Sequence, residues 1–268
     1  MTNGLTDPNF LRTNQYQDSS NLSARACLHQ RYSTNQTGWH SWVFNQLEFN
    51  QECKILELGC GPGYLWKENQ NRCPSSWEIT LSDISIGMLQ EAIESLPRSG
   101  SFRYLVHDAC EIPFCEGSFD AVIANHMLYH IPEISAALCE TRRVLKHGGC
   151  LYAATNGSDH LQEIKEWKAR FFPGQEDSTW GTQILGFSME NGVELLQQEF
   201  RNIYFFEYPD TLLVDQVDPI VCYIQSFTQI EETDPRIEQL RRYLHNYISE
   251  NGSIQITKKS GLFKAVKY

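Results

Sequence analysis

The stretch KILELGCGPGYLW, from Lys54 to Trp66, restricts the fold more than any other part of the chain. Ile55, Leu56 and Leu58 read as a buried strand, and glycines at positions 59, 61 and 63 precede a helix-forming run that starts at Tyr64. Glycines so placed let the chain turn sharply at a strand end and bring bare backbone against a ligand. Such a ligand is nucleotide-like, yet two common nucleotide loops are excluded. The phosphate-binding loop needs Gly-Lys followed by Ser or Thr, which is absent. A dinucleotide fingerprint opening at Gly59 needs a glycine at position 64, where Tyr64 stands.

From residue 53 onward strands and helices alternate. KILELG, EITLSD, FRYLVHD and FDAVIANHM read as strands; IGMLQEAIESL and EISAALCETRRVL read as helices; the turn KHGG leads into the strand CLYAATN. This order predicts an α/β fold: a doubly wound, mostly parallel seven-stranded sheet with helices on both faces. NLSARACLHQRY and GWHSWVFNQL carry apolar residues at helical spacing, so residues 1–50 read as an N-terminal helical cap and residues 51–268 as the α/β domain. Two stretches, about 157–187 and 215–250, are too long for simple connections and read as helical lid insertions over a pocket. RNIYFFEY and the last six or so residues read as strands, the final one antiparallel at an edge.

The 268 residues carry a net charge of −11 and a pI near 5.2. A duplex or an anionic membrane is repelled by such a chain, so no nucleic-acid or membrane partner is expected and a small-molecule partner fits better. The N-terminus has no cationic start followed by an apolar run, and no later stretch reaches the length of a membrane span, which predicts a soluble cytoplasmic protein. Nine cysteines are scattered without a CxxC pair, as expected for reduced thiols and for no metal site.

Further segments follow the glycine loop in a fixed order. ITLSDIS ends a predicted strand in Asp83, twenty residues beyond Gly63, where a carboxylate can accept two hydrogen bonds from a ribose diol. VHDACEIPF places Asp108 after the third strand, IPFCEGSFDAVIANHMLYHI spans the fourth, and RRVLKHGGCLYAATNG leads into the fifth. With E-x-G-x-G-x-G from Glu57, these segments resemble the class I, Rossmann-like S-adenosylmethionine-dependent methyltransferases over roughly residues 20–158. The resemblance is greatest to the small-molecule group that includes the ubiquinone and menaquinone biosynthesis type. It implies S-adenosyl-L-methionine as cofactor, S-adenosyl-L-homocysteine as product, and a cofactor loop of Glu57, Gly59, Cys60, Gly61 and Gly63. It further implies Asp83 on the ribose, Ile84 and Met88 packed on the adenine, Asp108 and the Ala109 N–H on the adenine edge, and Asn125 near the methionine end.

An activated methyl needs alignment rather than a covalent enzyme intermediate, so none of the cysteines is expected to act as nucleophile. A general base is useful if the acceptor is a hydroxyl or a protonated amine; His126, His130 and Tyr129 at the fourth strand's exit are the candidates. The two histidines are four apart and would share a face on a helix. Candidates for the acceptor pocket are His29, Tyr32 and Trp39 from the cap, and Trp167, Phe171 and Trp180 from the first insertion. Tyr223 and Phe227 add aromatic surface from the second. Helical spacing of Trp167 and Phe171 is also what plain core packing gives. No motif specifies the acceptor atom, O, N or C, or the oligomeric state. Protein methylation, a cofactor-binding regulatory role and a non-methylating reaction of the same cofactor remain compatible with these residues.

Overall fold

In a computed structural model of the chain the described residues are 20–97, 101–174, 186–226 and 230–268. Strand β1 (Cys53–Leu58) is buried throughout except at Lys54, as a central strand covered on both faces must be. It pairs in parallel with β2 (Trp77–Asp83) and β4 (Phe119–Asn125); β3 (Phe102–Val106) extends the sheet beyond β2. On the other side β4 pairs in parallel with β5 (Leu145–Asn156), and β7 (Ile254–Val266) and β6 (Arg201–Val214) complete the sheet antiparallel. The order is β3-β2-β1-β4-β5-β7-β6, seven strands as the sequence predicts, but the final strand β7 lies between β5 and β6 rather than at an edge, which β6 forms instead.

Alternation along the strands divides the core between two faces. Leu56, Leu58, Val122 and Ala124 pack with Ala137, Leu138 and Phe263 on one face, whereas Ile55, Ile79, Leu81 and Ile123 pack with Trp66 and Leu89 on the other. Each such side chain, fully buried, contributes about 1.5–3 kcal/mol relative to an exposed one. The helices in chain order are α1 (Ser20–Tyr32), α2 (Trp39–Gln46), α3 (Tyr64–Asn69), α4 (Ile86–Ser95) and α5 (Ile134–Val144). After β5 come α6 (Gln162–Phe171), α7 (Gly192–Leu196), α8 (Asp218–Gln225) and α9 (Pro235–Asn251). No helix among the described residues is long and apolar enough to cross a membrane.

Three local expectations change. KHGG is not a turn outside the sheet: β5 starts at Leu145, and Gly148, at φ 76°, lies beside a register irregularity opposite Phe119 and Ala121. β6 and β7 run to 14 and 13 residues, well beyond RNIYFFEY and the last six residues. Their distal halves form a ribbon whose Leu212, Val214, Ile254 and Ile256 pack with α1, α6, α8 and α9 in a separate hydrophobic cluster. The shared helical face expected for His126 and His130 is absent, because His126 has a left-handed backbone (φ 57°) and a 3-10 turn, Leu128–His130, follows it.

Candidate active site

The strand order reverses between β1 and β4, and the carboxyl ends of the parallel strands open there onto a cavity of about 1560 Å3. Gly59 and Gly61, at φ 61° and 54°, carry the backbone along its floor. A side chain at Gly59 would place its Cβ 2.7 Å from the Met127 Cβ, so that position admits only glycine without displacement of the chain. Gly63, at φ 77°, caps α3, and a Cβ there would lie 3.0 Å from Leu96; it belongs to the packing behind the loop and does not line the cavity.

Asp83 closes β2 beside this loop. Its Oδ2 accepts the Gly61 N–H (3.0 Å) and its Oδ1 the Ser85 N–H (2.8 Å), which fixes the carboxylate while leaving each oxygen further acceptor capacity toward the cavity. Burial raises its pKa, and the backbone hydrogen bonds oppose that rise. Ser85 caps α4 by accepting the Met88 N–H at 3.3 Å, and this sets Ile84 and Met88 on the cavity wall. Asp108 holds the turn after β3 by accepting the Cys110 N–H at 2.8 Å; Ala109 follows on the wall. Asn125 accepts the Trp39 Nε1–H at 3.2 Å, which ties α2 across the cavity to the end of β4. The positive-φ backbone at the loop, the carboxylate at the strand tip and the apolar Met88 beside it fit an adenosine-bearing cofactor, and no metal-holding cluster exists among the described residues.

Glu57 is 2 % exposed and accepts the Trp66 Nε1–H at 2.5 Å. Burial pushes its carboxyl up to about 8. A carboxyl raised in the fold contributes stability that is complete below its unfolded value near 4.5 and is lost as pH rises through about 8. Glu57→Gln keeps an oxygen for Trp66; it should match the wild-type protein near pH 5 and melt at a higher temperature than wild type near pH 9. Identical melting profiles at both pH values would contradict this account. Cys60 also lines the cavity, but burial, then the Asp83 and Glu57 carboxylates, raise its thiol well above the usual range. Iodoacetamide near pH 8 should therefore label the exposed Cys27, Cys115, Cys139 and Cys222 and spare Cys53 and Cys60, as peptide mass spectrometry would read.

The opposite wall is built by the cap and the ribbon. His29 stacks on His160 (5.8 Å, 21°) and meets Tyr223 edge-on at 5.9 Å; Trp39 lies 4.7 Å from the His126 ring and stands edge-on to Tyr208 at 5.2 Å. Lys258 and Asp210, directly opposite on β7 and β6, form an ion pair of 2.7 Å with side chains 6 % and 0 % exposed. Asp210 also accepts Ser33 Oγ (2.7 Å) and the N–H groups of Thr34 (3.0 Å) and Asn35 (3.1 Å), fastening the loop after α1 to the sheet. Burial drives the His126 imidazole down to about 3, with His40, Lys258 and His130 adding to it, and its Nδ1 has no partner.

The cavity thus gathers Glu57, Gly59, Cys60, Gly61, Asp83, Ile84 and Met88, then Asp108, Ala109 and Asn125. It also gathers His126, Tyr129, His130, His29 and Trp39. Tyr32, Trp167 and Phe171 are instead packed in the cluster beneath the ribbon, Phe171 against Tyr243 at 5.5 Å; their helical spacing reflects core packing. Trp180 and Phe227 lie outside the described residues. His160, Tyr208, Lys258 and Asp210 are the residues that sequence reasoning missed. The usable signal was the period-two run Ile254, Ile256, Lys258, Ser260, all buried.

A mostly parallel sheet with this order, an open glycine turn after β1 and an acid at the tip of β2 define the class I, Rossmann-like methyltransferase fold. Residues 56–153 match the family described as a methyltransferase domain. A malonyl-[acyl-carrier protein] O-methyltransferase of Legionella pneumophila is 30% identical over 154 residues, 56% of this chain and 54% of that protein. A demethylmenaquinone methyltransferase of Staphylococcus aureus is 29% identical over 134 residues, 50% of this chain and 56% of that protein. The chain therefore spans about half the length of the curated relatives it matches. Among solved structures, the Haemonchus contortus phosphoethanolamine N-methyltransferase 2 in complex with S-adenosyl-L-methionine superposes with a TM-score of 0.61 at 19% identity. That match covers 97% of this chain and 59% of the other; the likeness is one of fold.

Proposed function

We propose that the protein transfers a methyl group from S-adenosyl-L-methionine to an O, N or C nucleophile of a small-molecule metabolite, by in-line displacement. The carrying observation is a single cavity of about 1560 Å3 that joins the glycine loop and Asp83 to the Trp39, His29 and Tyr223 wall. One ligand usually occupies ~300–1,000 Å3, so cofactor and acceptor have room side by side. Asp83 would receive the ribose hydroxyls, Ile84 and Met88 the adenine faces, Asp108 and Ala109 its edge, and Asn125 the methionine end. When bound, the sulfonium supplies a methyl already activated for displacement.

The chain's own contribution is alignment and exclusion of water. Holding two reactants in line contributes up to ~7–11 kcal/mol of the barrier. In this reading the helices α1 and α2, with His160, Lys165 and Tyr223 from the described parts of the two insertions, shape the acceptor half. His126, whose basicity burial suppresses, orients the acceptor by hydrogen bonding, and His130 or Tyr129 receives a proton where one must leave. The net charge of −11 supports a small acceptor over nucleic acid. Incubating the protein with methyl-labelled cofactor and a fractionated cell extract should place label in the small-molecule fraction. Label confined to protein or nucleic acid would overturn the reading.

A further inference from the structure

The carboxylates around the cavity are segregated to one side, where Lys67 of α3 is the one lining lysine or arginine among the described residues. The lining carboxylates Glu57, Glu68, Asp83, Asp108 and Glu133 all lie on the side of β1 to β4 and the helices that follow them. Across the cavity α1 contributes Arg25 and Arg31, α6 Lys165 and β7 Lys258, and among the described residues no lining carboxylate comes from those elements. In a chain of net charge −11 a wall of this sign runs against the composition.

Three features make this wall a receptor. First, the Asp210 carboxylate that pairs with Lys258 is also shared among Ser33, Thr34, Asn35 and the Thr211 N–H, which disperses its charge. The Lys258 ammonium gives one N–H to Asp210 and lies 4.9 Å over the Tyr208 ring, so it keeps a donor for the cavity it lines. Second, His160 Nδ1 accepts the Lys259 N–H at 3.1 Å, which leaves the proton of the neutral ring on Nε2. Third, the His29 Nδ1 is enclosed by protein and has no partner, although its ring borders the cavity. A polar atom held that way is costly unless a ligand completes it.

We propose that the acceptor carries an anionic group, a carboxylate or a phosphate, and that this group docks against the Lys258 ammonium and the stacked His29 and His160 imidazoles. The inference rests on the methyl-transfer reading, and it assigns that reaction an anionic substrate. Both imidazoles are neutral: burial, then Lys258 and His126 for His29, and burial, then His29 and Lys258 for His160, hold them well below 6.5. The other groups facing them are Arg25 from α1, Lys165 from α6, Tyr223 from α8 and Asp210 from β6. Only Asp210 pulls the other way, and only on His29. An anion reverses the local sign and raises both imidazole pKa values, so protons are taken up on binding. Affinity therefore increases as pH falls through the raised, bound-state pKa, by up to about ten-fold per pH unit for each proton.

The test is a side-chain 15N NMR titration of the histidines with acetate and with sulfate, a tetrahedral stand-in for phosphate; both keep constant charge between about pH 6 and 8. The wild-type protein should show saturable shifts at His29 and His160, tighter near pH 6 than near pH 8. Lys258→Met and His29→Phe should each weaken them about ten-fold or more. The tighter of the two anions assigns the group. If Lys258→Met fails to fold, His29→Phe, which retains the ion pair, decides alone. No saturable shift with either anion, or unchanged midpoints in the folded variants, would overturn the proposal. Calorimetric titration of the same preparations with S-adenosylmethionine separates the two readings. Cofactor binding without anion binding refutes this inference alone, and anion binding without cofactor binding refutes the methyl-transfer reading.

Discussion

Asp83→Ala should weaken S-adenosylmethionine and S-adenosylhomocysteine binding by at least about a hundred-fold in a calorimetric titration, and leave NADH as unbound as before. Two hydroxyls donating to a carboxylate are worth about 1.5–3 kcal/mol each, and both are lost together with the anchor of the Gly61 and Ser85 amides. Asp83→Asn separates binding from architecture. The Asp83 pKa is raised in the fold, so its ionised form is held there at a cost that is absent below the unfolded value and complete above the folded one. Asn removes that cost, keeps one acceptor, and should leave the ligand-free unfolding free energy near pH 8 within about 1 kcal/mol of wild type while affinity still falls. A folded Asp83→Ala protein that binds the cofactor as wild type does would remove Asp83 from the site.

The two halves of the cavity differed in how far they could be read. The loop after β1 and the acid after β2 are short runs in which each residue's backbone position fixes its role: a positive φ at Gly59 and Gly61, a strand tip at Asp83. Local sequence therefore states them. The opposite wall is assembled from residues far apart in the chain; Asp210 and Lys258 meet only because β6 and β7 pair, and His29 meets His160 only because α1 packs beside that ribbon. The period-two run Ile254, Ile256, Lys258, Ser260 signals a strand, but which way Lys258 faces stays open because a buried lysine is indistinguishable from an exposed one until its carboxylate is found. Tyr32, Trp167 and Phe171 failed in the opposite sense. Aromatic residues at helical spacing serve a core and a pocket equally well, and here the cluster beneath the ribbon takes them. Gly63 shows the same limit on a small scale, a motif glycine whose neighbour is Leu96 and not the cavity.

Asp210→Ala should lower stability by about 3–5 kcal/mol, because it leaves the Lys258 ammonium buried without its counter-charge. The loss has a direction. Ser33, Thr34 and Asn35 lose their common acceptor, so the loop after α1 should detach first, and the Thr34 and Asn35 amides should lose hydrogen-exchange protection before the strands of the central sheet do. Trp39 lies a few residues further along, edge-on to Tyr208 and bonded to Asn125, so its fluorescence should report the same detachment. Combining Asp210→Ala with Lys258→Met removes the stranded charge, and the double variant should be more stable than Asp210→Ala alone, since replacing a buried pair by apolar groups is often close to neutral. A purely local hydrogen-bond role for Asp210 would instead make the two substitutions additive. A single variant within about 1 kcal/mol of wild type would show that the carboxylate does not hold the cap against the ribbon.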